Sequence, residues 1–331
     1  MLRSLKRWHA AAVTYVLCMD GETQRLLSLL DLPGVHLIGL PEVEDEQLLK
    51  VKSERTTAEY CWTLASVFCA WLMEARQEID EIVYLDADLM FFSNPGPLLD
   101  ESAGASITVL EHRSQSSQDI AESGRFNVSW VGFRRDAEGL ACLTRWRDQC
   151  LEWCSARPDG AKLGDQKYLD SWPEDYQSVH VLQHNGAGVA PWNFTNHPIQ
   201  KLHGQVQIGD SPLVFYHYHQ FHWLSDGTID PMARKYSRGR QAPAEIYEPY
   251  VQALSAALAE VRGFDPGFNK GMMNAQTARL RRMAQRWLPF ALKNWLKGLG
   301  RFGPYDSKGW TSSPAAAPSP ITKDGSTHPD L

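Results

Sequence analysis

The chain has 331 residues, 43% of them hydrophobic, with 33 Lys and Arg against 39 Asp and Glu for a formal net charge of −6. That length can bury a sizeable core in one large domain or two, and the acidic balance excludes a general nucleic-acid binder. Six Cys without a CxxC pair or a nearby His exclude a disulfide framework and disfavour a zinc cluster.

The N-terminal stretch "MLRSLKRWHAAAVTYVLCMDGET" mimics a signal peptide, but its apolar run ends in Cys18-Met19-Asp20 with no small-residue cleavage site. It reads better as a first β-strand. No stretch approaches the roughly 20 apolar residues of a membrane span, so a cytoplasmic chain is expected. "AVTYVLCM" and "GVHLIGL" read as strands separated by a short helix at 22–30. A longer helix, "TTAEYCWTLASVFCAWLMEARQ", opens on a capping box of Thr56 and Glu59. "EIVYLDADL" is apolar on both faces, which predicts a central strand ending on Asp86 and Asp88. A turn, a short helix and the strand "SITVL" follow. "RFNVSWVGFRR" reads as a strand pair or hairpin, and a helix near 136–157 sets Cys142, Trp146, Cys150 and Cys154 on one face as a buried stripe. After "VHVLQH" and "PLVFYHYHQFHW" comes a helix at 243–261. This βαβα order predicts an α/β sheet whose ligands bind beyond the carboxyl ends of its strands. No GxGxxG follows the first strand, so a dinucleotide site is not expected.

Residues 266–305 carry eight Lys or Arg and no acid. Leu280, Met283, Trp287, Leu288, Ala291, Trp295 and Leu299 fall at helical spacing, with cations opposite and a kink expected at Pro289. Such a helix, 275–301, suits either an anionic membrane surface, here the inner membrane face, or packing on its own domain. The Pro/Ser/Ala-rich tail reads as disordered. The resulting organisation is a catalytic domain at 1–242, a helical extension at 243–301 and a tail at 302–331.

Two carboxylates at a strand end repel one another and are costly to bury, so a positive partner is expected beside Asp86 and Asp88. Two further features strengthen a divalent-cation reading. "FYHYHQF" places His217 and His219 at strand spacing, and "GDQKYLD" places Asp165 and Gln166 in a turn before a helix. Two carboxylates and one imidazole leave positions open for diphosphate oxygens.

The ordered set "YLDADLMFF", "RFNVSWVGF", "GDQKYLDSW", "APWN" and "FYHYH" resembles the GT-A nucleotide-diphosphosugar glycosyltransferases, and within them the family 8-type branch that includes lipopolysaccharide sugar transferases. The likeness spans residues 12 to 222, and the DxD and DQ pairs are its most specific parts. It implies a Rossmann-like, mixed and mostly parallel sheet flanked by helices. It also implies Mn²⁺ or Mg²⁺ held by Asp86, Asp88 and His217, with His219 the competing choice. Asp165 and Gln166 would contact the transferred sugar, and Asn127 stands in the family's N-x-G segment, here without the glycine. Asp20, Arg55, Glu111 and its neighbour His112 are candidates for the donor side; Trp192 and Asn193 are candidates for the acceptor side. The family's closing HxxGxxKPW reads "HYHQFHW" here, so Arg55, Arg234 or Lys235 would supply the missing charge. The implied partners are a nucleotide-sugar donor and a glycan or lipid-linked acceptor, with retention favoured over inversion. Rival readings are a phosphatase of the haloacid dehalogenase type, a nucleotidyltransferase, and a non-catalytic sugar-nucleotide-binding protein. The first wants DxDx(T/V) where Leu89-Met90 follows, and the second wants a Gly-rich basic loop where "MDGETQRLL" stands.

Overall fold

The computed structural model describes residues 1–160, 162–232, 236 and 240–287, with backbone alone for 281, 282 and 284–287. The predicted kink at Pro289, the basic helix beyond Trp287, the tail 302–331 and the charges expected from Arg234 and Lys235 lie outside the described residues.

The chain opens on a helix that the sequence reading lacks, α1 (Leu2–Trp8). Its Leu5 is buried in a cluster with Leu89 and Phe91, and Ser4 Oγ accepts from the Phe91 N–H at 3.0 Å. The expected strands follow as β1 (Thr14–Cys18) and β2 (Val35–Gly39), paired parallel, with α2 (Gly21–Leu29) between them. Two short helices, α3 (Leu40–Val43) and α4 (Glu46–Glu54), lead to α5 (Thr57–Ala75). The predicted capping box of Thr56 and Glu59 starts α5, whose Tyr60, Leu64, Phe68 and Leu72 pack against Ile38, Leu40, Val43 and Leu48. The α5 side chains recur every fourth residue, which puts them on one helical face.

The main sheet contains β3 (Glu81–Leu85), β5 (Ile107–Glu111), β6 (Phe126–Arg134) and β7 (Val179–Val181), in the order β3-β6-β5-β7. A separate strand, β4 (Leu89–Phe91), follows β3 across the turn 86–88. β6 is antiparallel to both neighbours, whereas β5 and β7 are parallel. Three strands therefore run one way and β6 the other, which makes an α/β architecture with a mixed sheet flanked by helices. Two local expectations are corrected. "RFNVSWVGFRR" is one nine-residue strand rather than a hairpin, because it has no turn pair and is buried from Phe126 to Phe133 between β3 and β5. β3 lies at the end of its ladder rather than in the centre, hydrogen-bonded within that sheet to β6 alone.

Of the remaining helices, α6 (Gly96–Glu101) and α7 (Ser117–Ser123) are short, and α8 (Ala137–Glu152) covers one face of the sheet. The predicted stripe holds: Cys142, Trp146 and Cys150 of α8, with Cys154 just beyond it, are buried. Trp146 packs against Phe133 and Trp172, with ring centroids 5.8 Å from each. On the opposite side Trp130 stacks on Phe215 at 5.7 Å in a cluster with Leu89, Phe91 and Leu98.

The chain then forms an antiparallel meander, β8 (Ile199–Leu202), β9 (Gln205–Ile208) and β10 (Ser211–Pro212). β11 (Phe215–His217) returns to pair antiparallel with β4. Alternation along this last strand sends Tyr216 and Tyr218 one way and His217 the other. The tyrosines enter a cluster with Ile246 and Tyr247 of the helix Ala244–Phe264, where Tyr218 stacks on Tyr250 at 3.6 Å. Among the described residues no helix is long and apolar enough to cross a membrane.

Candidate functional site

The register of β4 against β11 builds the site. Phe215 faces Phe91, Tyr216 faces Met90 and His217 faces Leu89, so His217 arrives beside the turn that carries Asp86 and Asp88. The Tyr218 N–H donates to the Asp88 carbonyl at 2.9 Å, and the His217 N–H donates to the Val189 carbonyl at 2.8 Å, locking that register. His217 Nε2 consequently lies 3.1 Å from an Asp88 carboxylate oxygen and 3.7 Å from one of Asp86. One ligand atom from each of the three falls within 4.8 Å of the others.

In the metal-free site the three groups set one another's charge. Burial and the nearby Asp88 push Asp86 up to about 6, although His217 and the hydrogen bond donated by Tyr84 Oη at 3.0 Å pull it down. Burial also works upward on Asp88, but the charge and hydrogen bond of His217 outweigh it and hold that carboxyl below its ordinary value. Burial opposes protonation of His217, yet Asp88 and Asp86 together keep its pKa raised. The residues fit a divalent cation. The donor set is two hard oxygens and an imidazole within reach of one another, and no Lys or Arg stands among the described residues lining the cavity.

That cavity, about 290 Å³, runs from the aspartates to a floor formed by Asn127, Asp165 and Gln166. Asp165 is placed by Gly164, whose φ of +55° makes the preceding turn, and by its carbonyl, which accepts from Trp146 Nε1 at 2.8 Å. Burial, reinforced by the charge of Asp86, pushes the Asp165 carboxyl up to about 8. Gln166 begins the 3₁₀ turn Lys167–Ser171; its Nε2 donates to the Ser123 carbonyl at 2.6 Å. Trp192 closes one wall, edge-on to His217 at 5.4 Å and to His219 at 5.5 Å. His219 lines the same cavity but is not part of the three-ligand group.

Asp86, Asp88, His217, Asn127, Asp165, Gln166 and Trp192 therefore converge on one cavity, and four other candidates do not line it. Asp20 caps α2, accepting from the Thr23 N–H at 2.7 Å. Arg55 bonds Thr63 Oγ1 and the Leu151 carbonyl, joining α5 to α8. Glu111 turns outward to pair with Arg125 at 2.6 Å. Asn193 is buried behind the wall, bonding the Ala190 N–H and the carbonyls of His112 and Gly188. Just past the end of β5 it is the next residue, His112, that faces the cavity, and burial followed by the charge of His217 lowers its pKa to about 4. Trp62, Ser114, Asp119 and Tyr236 also line the cavity, and no sequence motif marks them.

No protein-family model matches the chain. It is 34% identical over 264 residues to uncharacterized protein YfnD of Bacillus subtilis, covering 78% of this chain and 85% of that protein. Uncharacterized protein YfnF of the same organism is 29% identical over 278 residues, covering 81% and 91%. Among solved structures, mouse xyloside xylosyltransferase 1 in its apo form matches with a TM-score of 0.41 and 15% identity, covering 69% of this chain and 91% of that one. With more than three-quarters of both chains aligned to YfnD at 34% identity, this protein belongs to the YfnD family.

Proposed function

We propose that the protein is a metal-dependent glycosyltransferase of GT-A type, moving a sugar from a nucleotide-diphosphosugar to an acceptor hydroxyl on a glycan or lipid-linked glycan. The observation that carries this reading is the convergence of Asp86, Asp88 and His217 at one end of a cavity whose other end holds Asn127, Asp165 and Gln166. Asp86, Asp88 and His217 would hold Mn²⁺ or Mg²⁺. Such a cation supplies Lewis-acid stabilisation of the charge collecting on the departing diphosphate. The cavity's described lining offers carboxylates and imidazoles but no fixed cation, so a diphosphate needs that charge to enter.

The protein's own groups divide the remaining work. Trp192 shields the metal side and presents an apolar face to a sugar ring. Gln166 and Asn127 offer amide donors and acceptors to the transferred sugar's hydroxyls. Burial pushes the Asp165 carboxyl up to about 8 in the metal-free protein, which lets it donate a hydrogen bond when protonated and makes it a stronger base than an ordinary carboxylate when ionised. Retention, which the family resemblance favours, would place Gln166 beside the anomeric carbon; in an inverting transfer Asp165 would be the base that takes the acceptor's proton. At the chain's other end Leu280 and Met283 are 63% and 60% exposed on the helix Ala275–Trp287, in keeping with contact to an anionic membrane surface. Sedimentation with anionic vesicles tests that contact, and a chain left in the supernatant removes it.

A thermal-shift screen of nucleotide sugars with and without Mn²⁺ tests the main reading. Stabilisation by a nucleotide sugar is expected only with metal present, together with donor turnover that Asp88→Ala abolishes. Equal turnover in wild type and Asp88→Ala would overturn it.

A further inference from the structure

Asn127 has an unambiguous amide orientation. Its Oδ1 accepts from the Ser129 backbone N–H at 3.0 Å, so Nδ2 faces the other way with two hydrogens to donate. One is directed at Gln166 Oε1, 3.4 Å away, and the other at His112 Nε2, 3.3 Å away. A ring nitrogen that receives an N–H carries no hydrogen itself, so the neutral His112 ring is protonated on Nδ1. The backbone carbonyls of Gly124 and Arg125 favour an N–H on this ring, although Nδ1 has no partner in hydrogen-bonding geometry. Gln166 is fixed by the same logic. Its Nε2 donates to the Ser123 carbonyl, which leaves Oε1 as the end that accepts from Asn127. Reversing the Asn127 amide would oppose Nδ2 to the Ser129 N–H and Oδ1 to Gln166 Oε1, two repulsive contacts in place of two attractive ones.

His112 is also held firmly enough to support this order. It is 8% exposed, and its ring meets Trp192 edge-on at 5.3 Å. Its carbonyl accepts from Trp192 Nε1 at 2.8 Å and from Asn193 Nδ2 at 2.9 Å. The segment "PWN", which the sequence reading assigned to the acceptor side, thus grips the backbone of His112.

We propose that His112 is a positioning residue: its bare Nε2 takes the second hydrogen of the Asn127 amide, whose orientation the Ser129 N–H sets, and so steadies Asn127 against Gln166 before any sugar enters the cavity. The consequence for turnover rests on the glycosyltransferase reading; the hydrogen-bond order does not. Removing a residue that orients a metal ligand costs about 10- to 100-fold, and a loss of the same order is expected for one that orients a sugar-binding amide.

The experiment has two arms. In ¹⁵N-histidine-labelled protein, the resonances missing from His112→Gln identify His112, and they are expected to report a hydrogen on Nδ1 and none on Nε2 near neutral pH. An Nε2–H tautomer or a charged ring overturns the proposal whatever the enzyme does. In the second arm, His112→Leu is expected to lower kcat about 10- to 100-fold, with the donor KM and the Mn²⁺ affinity held within about threefold. His112→Gln, whose Oε1 can accept in place of Nε2, is expected to restore most of the loss. Equal loss in both variants, or loss in neither, overturns the positioning role. Absence of transfer from any nucleotide sugar in wild type would instead remove the functional reading, with the tautomer still deciding the order of the amides.

Discussion

Asp86, Asp88 and Asp165 share one cavity and stand in three conditions. Asp88 is held ionised by His217, Asp86 is balanced between burial and the same imidazole, and Asp165 has burial and a like charge acting on it in the same direction. The last case has a thermodynamic consequence in the metal-free protein. The folded pKa of Asp165 is about 8 against an ordinary 3.8, so between those values the native state keeps a proton that the unfolded chain has released. Stability is therefore greatest at the acid end and falls as pH rises through this window, by at most about 1.4 kcal/mol per pH unit for one proton. Asp165→Asn imitates the neutral acid and removes that dependence. The melting-temperature difference, variant minus wild type in EDTA, is expected to grow from pH 5 to about pH 8 and then level off. Parallel curves would show that Asp165 is not held neutral by the fold.

At the scale of elements, α5 is tied to the site through its cap. One oxygen of Glu59 closes the capping box, accepting from the Thr56 N–H at 3.0 Å and Thr56 Oγ1 at 2.8 Å. The other accepts from Ser155 Oγ at 2.9 Å and the Ala156 N–H at 2.8 Å, holding the segment after α8 that leads to Asp165. Burial pushes the Glu59 carboxyl upward, but these hydrogen bonds prevail and lower its pKa. Thr56→Ala is expected to cost about 1 kcal/mol and leave that segment intact. Glu59→Ala is expected to cost about 1–3 kcal/mol and to speed amide exchange across residues 155–164. Equal exchange in the two variants would refute the tie. The capping box was legible because it is a spacing of three residues; the second pair of bonds joins positions almost a hundred residues apart and leaves no local signal. The same distinction explains the strands. The stretch of β6 was read as a strand pair or hairpin, whereas it runs as one strand through Gly132, where a Cβ would stand a tight 3.1 Å from Thr108 on β5. Glu111 and His112 stood as candidates together, and strand alternation does not decide between them: the pairing of β5 with β6 shifts register between Thr108 and Leu110, and Val109 and Leu110 are both buried.

At the scale of the whole molecule, the candidate ligands come from two parts of the chain that only the fold unites. Asp86 and Asp88 occupy the turn leaving the main sheet, backed by the cluster of Leu89, Phe91 and Trp130. His217 ends β11, backed by the tyrosines that pack against the helix Ala244–Phe264. Their residue types and order were legible in the sequence, because a metal site needs those chemical groups wherever the chain brings them. Their meeting was not, because it depends on three pairings between β4 and β11. A cation that binds all three groups binds the folded chain and has no equivalent site in the unfolded one, so its affinity appears as global stability. The melting temperature is accordingly expected to rise with the logarithm of Mn²⁺ concentration, with about 2.7 kcal/mol gained at a hundred times Kd. EDTA should reverse the gain, and tryptophan fluorescence and far-UV circular dichroism should report the same shift, since the clusters on both sides of the site melt together. Either His217→Ala or Asp88→Ala should abolish the gain on its own, because each leaves the site one ligand short. A gain that survives in His217→Ala would mean that the metal binds without the contact between β4 and β11, and the site would have to be sought elsewhere in the chain.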